Sequence, residues 1–271
     1  MTTNNPQSKG VLVDLTRCIG CRGCQVACKS WNERSVKKTI MDGTFTNPPE
    51  LNSECYTRIL YTEQEKDNVP AWYFTKSQCM HCKDPACVSA CPVGALRKTE
   101  QGAVVYAFER CIGCRYCMVA CPFNIPKYEW EKTAPWIRKC TFCSERISAG
   151  KVPACIKVCP TQVMFFGNYD EVVQEAEKRL RDNPGKYVNH IYGKDEAGGT
   201  SWIYLSAVPF EQIGFNTKVP NVKLPALTWN MLGEIPVKVG ALVVGLSLIA
   251  AFRNRGSGSA GSSETKHGKE K

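Results

Sequence analysis

Short apolar runs separated by turn-forming residues occupy most of the chain, and they predict a mixed α+β fold. Val11–Leu15 has the composition of a short buried strand. Tyr56–Thr62 and Ala71–Thr75 are two further strand-like runs. Ala95–Lys98 and Ala103–Phe108 flank a glycine-containing turn, so together they predict a β-hairpin.

The later part of the chain combines strands with one clear helix. Val163–Phe166 and Trp202–Ser206 are predicted strands. Asp170–Asp182 places its apolar residues on one face, opens with carboxylates and closes with basic residues, which is the pattern of an amphipathic packing helix. Val219–Asn230 predicts an extended arm, within a connecting segment at 216–234.

One apolar run near the C-terminus predicts a membrane anchor. Val239–Phe252 contains no charged residue, and the long side chain of Lys238 can snorkel, which extends the apolar segment to 235–252. Arg253 ends the segment abruptly, and Trp229 lies where an interfacial ring is expected. We therefore predict a single transmembrane helix. An ordinary terminal helix is the alternative.

Basic residues are distributed unequally around this anchor. Three precede its apolar run and five follow it: Lys218, Lys223 and Lys238, then Arg253, Arg255, Lys266, Lys269 and Lys271. Because cytoplasmic flanks are enriched in Lys and Arg, we predict a cytoplasmic tail at 253–271 and a preceding domain on the periplasmic side. The polar N-terminus, 1–10, lacks the apolar stretch of an export signal. It is predicted to be flexible, the tail is predicted to be disordered, and the domain is expected to cross the membrane with an exported partner.

Sixteen of the 17 cysteines form four quartets. They are Cys18, Cys21, Cys24 and Cys28, then Cys79, Cys82, Cys87 and Cys91, then Cys111, Cys114, Cys117 and Cys121, and last Cys140, Cys143, Cys155 and Cys159. In a C-x2-C-x2-C-x3-C run, one short loop supplies three ligands to a 4Fe–4S cluster, and the fourth cysteine serves the other cluster of a pair. Sixteen thiolates, at four per cluster, predict four 4Fe–4S clusters.

Disulfides and structural zinc are the competing uses of these thiols. The chain is long, its cysteine count is odd and the spacing is tight and repetitive, none of which suits a disulfide scaffold. A zinc ribbon separates two C-x2-C pairs by a long insert and has no use for a third close cysteine. A zinc-organised interaction module, binding acidic partners through its positive charge, is retained as the alternative from another functional class.

Two residues near the quartets are not needed as ligands. Cys55 lies outside every quartet and is expected to be a small buried apolar residue without a function. His81 lies inside the second quartet, whose cysteines already supply four thiolates, so we expect it to donate a hydrogen bond to cluster sulfur.

The formal net charge of +10 would suit nucleic acid or anionic lipid. Clusters change this balance, because a 4Fe–4S cluster with four thiolates carries a charge of about −2 when oxidised. The loaded protein is therefore expected to be near neutral, with many Lys and Arg side chains offsetting cluster charge. The sequence has no basic run with interleaved aromatic residues, so nucleic acid is not an expected partner.

The quartets are predicted to combine as two interleaved units like bacterial ferredoxins. Only a hairpin separates the second and third quartets, so these form one two-cluster unit, and the first and fourth form the other. The combined domain spans 11–215 and has an insertion at 29–78. Exchange of the fourth cysteines predicts four mixed sets. The first set is Cys18, Cys21, Cys24 and Cys159; the second is Cys28, Cys140, Cys143 and Cys155; the third is Cys79, Cys82, Cys87 and Cys121; the fourth is Cys91, Cys111, Cys114 and Cys117.

Four quartets in this order resemble the iron–sulfur (beta) subunits of membrane-bound molybdenum or tungsten enzymes and of a membrane-bound nickel–iron hydrogenase. The motifs CIGCRGCQVACKSWNE and RKCTFCSERISAGKVPACIKVCPT are most similar to the formate dehydrogenase beta subunit. The motifs QCMHCKDPACVSACPVGAL and YGKDEAGGTSWIYLSAVPFEQI are closer to the hydrogenase subunit. The resemblance covers residues 11–255.

The resemblance implies a linear relay of single electrons. The first set would lie nearest a large catalytic subunit that carries molybdopterin or nickel and iron. The fourth set would lie nearest an integral cytochrome b or quinone-binding subunit of the inner (cytoplasmic) membrane, with the anchor in contact with membrane lipid. Formate dehydrogenase is the preferred partner enzyme, and a nickel–iron hydrogenase or another molybdopterin oxidoreductase is the alternative.

The chain itself is not expected to be an enzyme. Its sequence has no Rossmann or P-loop glycine pattern and no obvious nucleophile–base pair or pterin site. The expected role is therefore that of an electron-transfer subunit.

Overall fold

The computed structural model describes residues 8–36, 38–40, 43–66 and 68–256. The chain divides after Pro225 into two compact units, called here the head and the C-terminal segment. The predictions made for residues 1–7 and 257–271 lie outside the described residues.

Nine strands and six helices form the regular structure of the head among its described residues. The strands are β1 (Lys9–Asp14), β2 (Thr57–Lys66), β3 (Val69–Gln78), β4 (Leu96–Lys98), β5 (Val104–Tyr106), β6 (Lys127–Tyr128), β7 (Ile137–Arg138), β8 (Met164–Asn168) and β9 (Trp202–Leu205). The helices are α1 (Gly23–Trp31), α2 (Ala86–Ser89), α3 (Tyr116–Val119), α4 (Ser144–Ser148), α5 (Ala154–Lys157) and α6 (Tyr169–Asp182). The head therefore has the α+β composition that the sequence predicts.

A three-stranded sheet with the order β8-β1-β9 organises the head. β1 runs antiparallel to β8 and parallel to β9. Val11, Leu12 and Val13 are completely buried, because both faces of the sheet are covered, which favours a continuous apolar run. Alternate side chains point to opposite faces. Leu12 packs with Val172 of α6, whereas Val11 and Val13 belong to the larger core that contains cysteines.

The strands predicted from the sequence all have counterparts. β4 and β5 form the predicted antiparallel hairpin. β2 and β3 form a second antiparallel hairpin. They pair along their whole length, with Thr57 opposite Gln78 at the open end. One boundary needs correction: Lys9 and Gly10 fall in the N-terminus predicted to be flexible, but they pair with β8 as the first residues of β1.

Helix α6 begins one residue before its predicted start, because Asn168 caps it. Asn168 and Glu171 form a capping box in which each side chain accepts a hydrogen bond from the backbone N–H of the other. Near the other end, Arg179 pairs with the buried carboxylate of Asp14 at 3.2 Å. The helix is therefore held to the central sheet by an ion pair as well as by its apolar face.

A single long helix, α7 (Leu224–Gly256), contains the predicted anchor at 235–252. The prediction of an extended arm through Val219–Asn230 needs correction, because the helix already begins at Leu224. Pro225 lies in the first turn, where proline is compatible with a helix. It therefore does not prevent the helix from beginning within the predicted arm. The helix also continues to Gly256, into the tail predicted to be disordered.

The composition and length of α7 suit a membrane span. Its apolar part, Leu224–Arg253, has 30 residues, which is about 45 Å of helix, against a bilayer core of about 30 Å. The charge of Lys238 is paired with Glu234 at 2.7 Å, one turn away. Pro236 lies between these two residues inside the helix.

The contact between α6 and the sheet can be tested with Val172→Ala. This change removes two methyl groups from a completely buried side chain. We expect it to lower the free energy of unfolding by about 2 kcal/mol, because each buried methyl contributes about 0.8 kcal/mol and the cavity adds to the loss. Val69→Ala is the matched control at a 63% exposed side chain, and it should cost less than about 0.5 kcal/mol. Anaerobic thermal unfolding followed by circular dichroism measures both, and equal shifts would contradict the packing described.

Candidate metal centres

The central sheet brings the first and fourth quartets together. The loop after β1 and the loop before β8 lie at the same end of the sheet, because the two strands are antiparallel neighbours. The first loop and the start of α1 carry Cys18, Cys21 and Cys24, and the second loop carries Cys159. These four residues, the predicted first set, line one cavity.

The predicted second set lines another cavity. Cys28 lies near the end of α1, Cys140 and Cys143 precede α4, and Cys155 lies on α5. All four contribute to the wall of one cavity, together with the ring of Trp202. The structure therefore brings Cys28 to the fourth quartet although Lys29, and not proline, follows it in the sequence.

The thiols of the predicted third and fourth sets also lie near one another. Burial raises the pKa of Cys82, and the neighbouring thiols add to the rise: Cys79, Cys121 and Cys87. Burial likewise raises the pKa of Cys117 to about 12, with contributions from the thiols of Cys87, Cys111, Cys114 and Cys91. Three of the four neighbours of Cys117 are its own predicted set, and Cys87 belongs to the third.

The four sets follow one another in a row. A thiol of each set lies close to a thiol of the next, in a shared packing cluster: Cys24 with Cys155, Cys140 with Cys79, and Cys117 with Cys87. The order is first, second, third and fourth. The relay that the family resemblance implies requires this succession of neighbouring sites.

The first and third quartets share one backbone conformation. A short 3-10 turn precedes each quartet. Gly20 and Gly113 then take left-handed conformations with φ of 68° and 70°. Arg22 and Arg115, also left-handed, each precede the helix that carries the third cysteine. These reversals let a few residues present several thiols to one side.

The second and fourth quartets share a different conformation. His81 and Phe142, each two residues after the first cysteine, are left-handed with φ of 50° and 58°. Pro85 and Pro153 then cap the short helices α2 and α5. The two equivalent rings, His81 and Phe142, stack on one another with centroids 4.9 Å apart. The two predicted ferredoxin-like units, one with the second and third quartets and the other with the first and fourth, therefore contact each other through equivalent positions.

Backbone N–H groups donate hydrogen bonds to cysteine sulfur in the second, third and fourth quartets. The second quartet receives its bond at its last cysteine, from Ala95 to Cys91 at 3.2 Å, as the fourth does from Val163 to Cys159 at 3.4 Å. In the first quartet, the side-chain amide of Asn32 donates to Cys28 at 3.6 Å. Donors of this kind stabilise sulfur that carries negative charge and adjust cluster potentials.

Five buried side-chain donors have no protein partner among the described residues, and two of them lie in or next to the quartets or their cavities. The indole Nε1–H of Trp202 is buried and unpaired, and its residue lines the cavity of the second set. The ring of His81 accepts the Val104 N–H at Nδ1, 2.9 Å away, so its proton is assigned to Nε2, which is buried and unpaired. Burial and the charges of Lys139 and Lys98 lower the pKa of His81, which keeps it neutral. Unpaired buried donors fit a site that receives an acceptor-rich group.

Three buried or largely buried lysines lie among the sets, and the sequence did not single them out. Lys98 donates to the backbone carbonyls of His81 and Cys82, at 3.0 and 2.6 Å, and burial lowers its pKa to about 8. Lys139 donates to the carbonyls of Val104 and Cys140. Lys76 lines the cavities of both the first and the second set. Their placement matches the expectation that basic side chains offset cluster charge.

The spacing of the thiols does not suit single metal ions. A tetrahedral zinc ion needs its sulfur ligands about 2.3 Å from one point. Within the described ranges, no three His, Cys, Asp or Glu side chains form a group that could hold one ion. The first and second sets instead line cavities between their thiols, as a group with several irons and one thiolate at each requires.

Cys55 lies apart from these sets. It is buried, and its thiol donates to the carbonyl of Thr57 at 3.1 Å. No other cysteine contributes to the rise in its pKa, which is caused by burial. This environment is consistent with the structural role expected for it.

Two family models, both described as 4Fe-4S dicluster domain, match residues 17–95 and 70–169. A formate dehydrogenase iron-sulfur subunit of Haemophilus influenzae is 35% identical over 86% of this chain and 75% of its own length. The hydrogenase-2 operon protein HybA of Escherichia coli O157:H7 is 38% identical over 77% of this chain and 73% of its own. The chain belongs to the family of 4Fe-4S dicluster iron–sulfur proteins that includes these two relatives. The zinc-organised alternative has no support.

Other relatives are longer than the region they share with this chain. The nitrate-inducible formate dehydrogenase iron-sulfur subunit of Escherichia coli K12 is 39% identical over 72% of this chain, which spans 66% of its length. A relative from Nitratidesulfovibrio vulgaris is 42% identical over 86% of this chain, which spans 63% of its length. Family membership establishes 4Fe–4S clusters as the cofactor of these domains.

The glycine in the first loop provides a test of the site geometry. A Cβ on Gly20 would lie 2.8 Å from the Phe74 ring, whereas a Cβ on Gly94 would meet no atom within 4 Å, although both glycines have positive φ. We expect Gly20→Ala to lose iron from the first set, up to about four irons per chain, because the ring or the loop must move. Gly94→Ala, the matched control, should keep more of its iron. Iron and sulfide analysis after anaerobic purification measures the difference. Equal retention would show that the Gly20 contact is unimportant.

Proposed function

We propose that this chain is an electron-transfer subunit that relays single electrons through four 4Fe–4S clusters. The observation that carries the proposal is the row of four cysteine sets, each next to the following one. Each set would supply four thiolates to one cluster. A succession of neighbouring redox groups is what a relay requires, and none of the sixteen thiols is left over.

The chain's own contribution is to hold and adjust the clusters. When bound, 4Fe–4S clusters supply one-electron redox chemistry. The head buries or partly buries fifteen of the sixteen cysteines, donates N–H groups to cysteine sulfur and places lysines beside them, and these are the factors that set potentials. The proposed role is therefore transfer, with catalysis on another subunit.

Exposed apolar side chains lie beside both ends of the row. Ile19 and Val158 are exposed near the first set, and Ile112, Tyr116 and Trp130 are exposed near the fourth. Apolar side chains left uncovered beside a redox site suit contact with protein partners. We assign the first end to a large catalytic subunit, carrying molybdopterin or nickel and iron. We assign the fourth end to an integral cytochrome b or quinone-binding subunit.

Helix α7 is proposed to be a single-pass anchor in the inner (cytoplasmic) membrane. Its apolar side chains are exposed along its length, as contact with lipid requires. Ala241 and Gly245 are one turn apart, and small residues at this spacing favour close packing on a partner helix. The basic residues that follow its apolar run support a cytoplasmic tail and a periplasmic head.

A formate dehydrogenase-like catalytic partner is preferred. Two of the relatives described above are named as formate dehydrogenase iron-sulfur subunits. The hydrogenase-2 operon protein supports the alternative of a nickel–iron partner at similar identity. Both possibilities place the substrate-oxidising site outside this chain.

Metal content tests the cluster number. Anaerobically purified protein should contain about sixteen irons and an equal amount of acid-labile sulfide. Cys24→Ser should lower the iron content by up to about four, because it removes a ligand of the first set. Cys55→Ser is the matched control and should retain all iron, since a serine hydroxyl can also donate to Thr57. Colourless protein that contains zinc, or equal loss from both variants, would contradict the proposal.

The direction of the relay is tested by Cys111→Ser in the assembled complex. Loss of the fourth cluster should block quinone reduction, whereas a dye that accepts electrons upstream should still be reduced. Cys18→Ser, at the opposite end, should reduce both activities. With assembly shown to be intact, equal loss of the two activities in Cys111→Ser would contradict the proposed order.

A further inference from the structure

Lys76 occupies a position shared by two cluster sites. It lies on β3, within the segment predicted as an insertion, and its side chain is only 2% exposed. Of the described residues lining the cavities of the first and second sets, Lys76 is the one common to both. Its side chain therefore borders two groups of cysteine thiols.

Neighbouring side chains fix the ammonium group in place. Nζ donates to Thr57 Oγ1 at 2.9 Å and to Gln78 Oε1 at 2.7 Å. Thr57 pairs directly with Gln78 in the hairpin, and Gln78 is two residues from Lys76, so all three share one face of the ribbon. Nζ also lies 4.4 Å from the centroid of the Trp202 ring. The position is built by two strands and a residue of the central sheet.

The charge of Lys76 lacks a carboxylate partner. No Asp or Glu of the described chain forms an ion pair with it, and its two hydrogen-bond acceptors are neutral. A buried cation without a counter-charge is unfavourable. The nearest groups that can carry negative charge are cysteines of the two sets, and they raise its pKa against the lowering effect of burial. The lysine is thus compensated by the cluster ligands.

We propose that Lys76 is a fixed positive charge shared by the first and second clusters, which raises the reduction potentials of both. This inference rests on the function proposed above. Reduction adds one negative charge to a cluster, and a nearby cation stabilises that charge. Because one cation acts on both sites, it moves their potentials in the same direction. The pair is adjusted relative to the third and fourth clusters with little change in the step between its own members.

The experiment is a redox titration of the full chain, followed by electron paramagnetic resonance under anaerobic conditions. Lys76→Met removes the charge and keeps most of the side-chain volume. We expect two of the four midpoint potentials to become more negative, each by at least a tenfold change in the equilibrium constant, which is about 59 mV for one electron. The other two should stay unchanged. Cys21→Ser and Cys143→Ser, each lacking one ligand, identify the two signals that belong to the first and second clusters.

Lys98→Met is the matched control, because Lys98 is another largely buried lysine and contacts the third set through Cys82. It should leave the first and second potentials in place. Unchanged potentials in Lys76→Met, or an equal shift of all four, would overturn the proposal. If Lys76→Met loses iron, Lys76→Gln and Lys76→Arg decide the matter. Loss of iron in Lys76→Gln with retention of iron in Lys76→Arg supports a role for the positive charge. Loss of iron in both variants assigns Lys76 to packing and overturns the proposal.

The wild-type protein separates this inference from the proposed function. If wild-type protein contains clearly fewer than about sixteen irons, the proposed four-cluster relay is itself contradicted. If wild-type protein contains four clusters and their potentials do not change in Lys76→Met, only the inference about the shared charge is overturned.

Discussion

The meeting of thiols from distant parts of the chain is the constraint on which the structure depends. Cys159 reaches Cys18, Cys21 and Cys24 only because β8 pairs with β1. Burial raises the pKa of Cys24 to about 12, so without a cation its thiolate, the form that binds iron, is unfavourable. The sheet therefore gathers thiols whose thiolate forms are unfavourable together until a cation binds them. Iron binding in turn stabilises the pairing of the strands.

The four quartets could be recognised in the sequence because each quartet encodes its own loop. C-x2-C spacing, a residue in the left-handed conformation and a following helix are all contained within a short stretch of sequence. The hairpin β4–β5 and helix α6 were also predictable, since their turn and capping residues lie inside or next to the elements. Even Cys28, which lacks the usual following proline, joins the fourth quartet as the simple rule of exchange requires.

Features that depend on tertiary contacts could not be predicted in this way. A lysine such as Lys76, in a strand with polar neighbours, is normally expected to face solvent. Its burial depends on the β2–β3 hairpin and on Trp202, which is far away in the chain. The early start of α7 was missed for another reason: Pro225 and the polar residues near Trp229 resemble a linker, yet proline is tolerated in a first helical turn. The short pair β6–β7 has too few residues to give a periodic pattern.

The stacking of His81 on Phe142 joins corresponding points of two units whose sequences are nested, one inside the other. During synthesis, the inner unit has all its cysteines once Cys121 has left the ribosome. The outer unit waits for Cys155 and Cys159, although its first thiols were made at the very beginning. On the proposed ligand assignment, the two inner sites can receive their clusters while translation continues. The two outer sites can be completed only after the fourth quartet has been made and β8 has paired with β1.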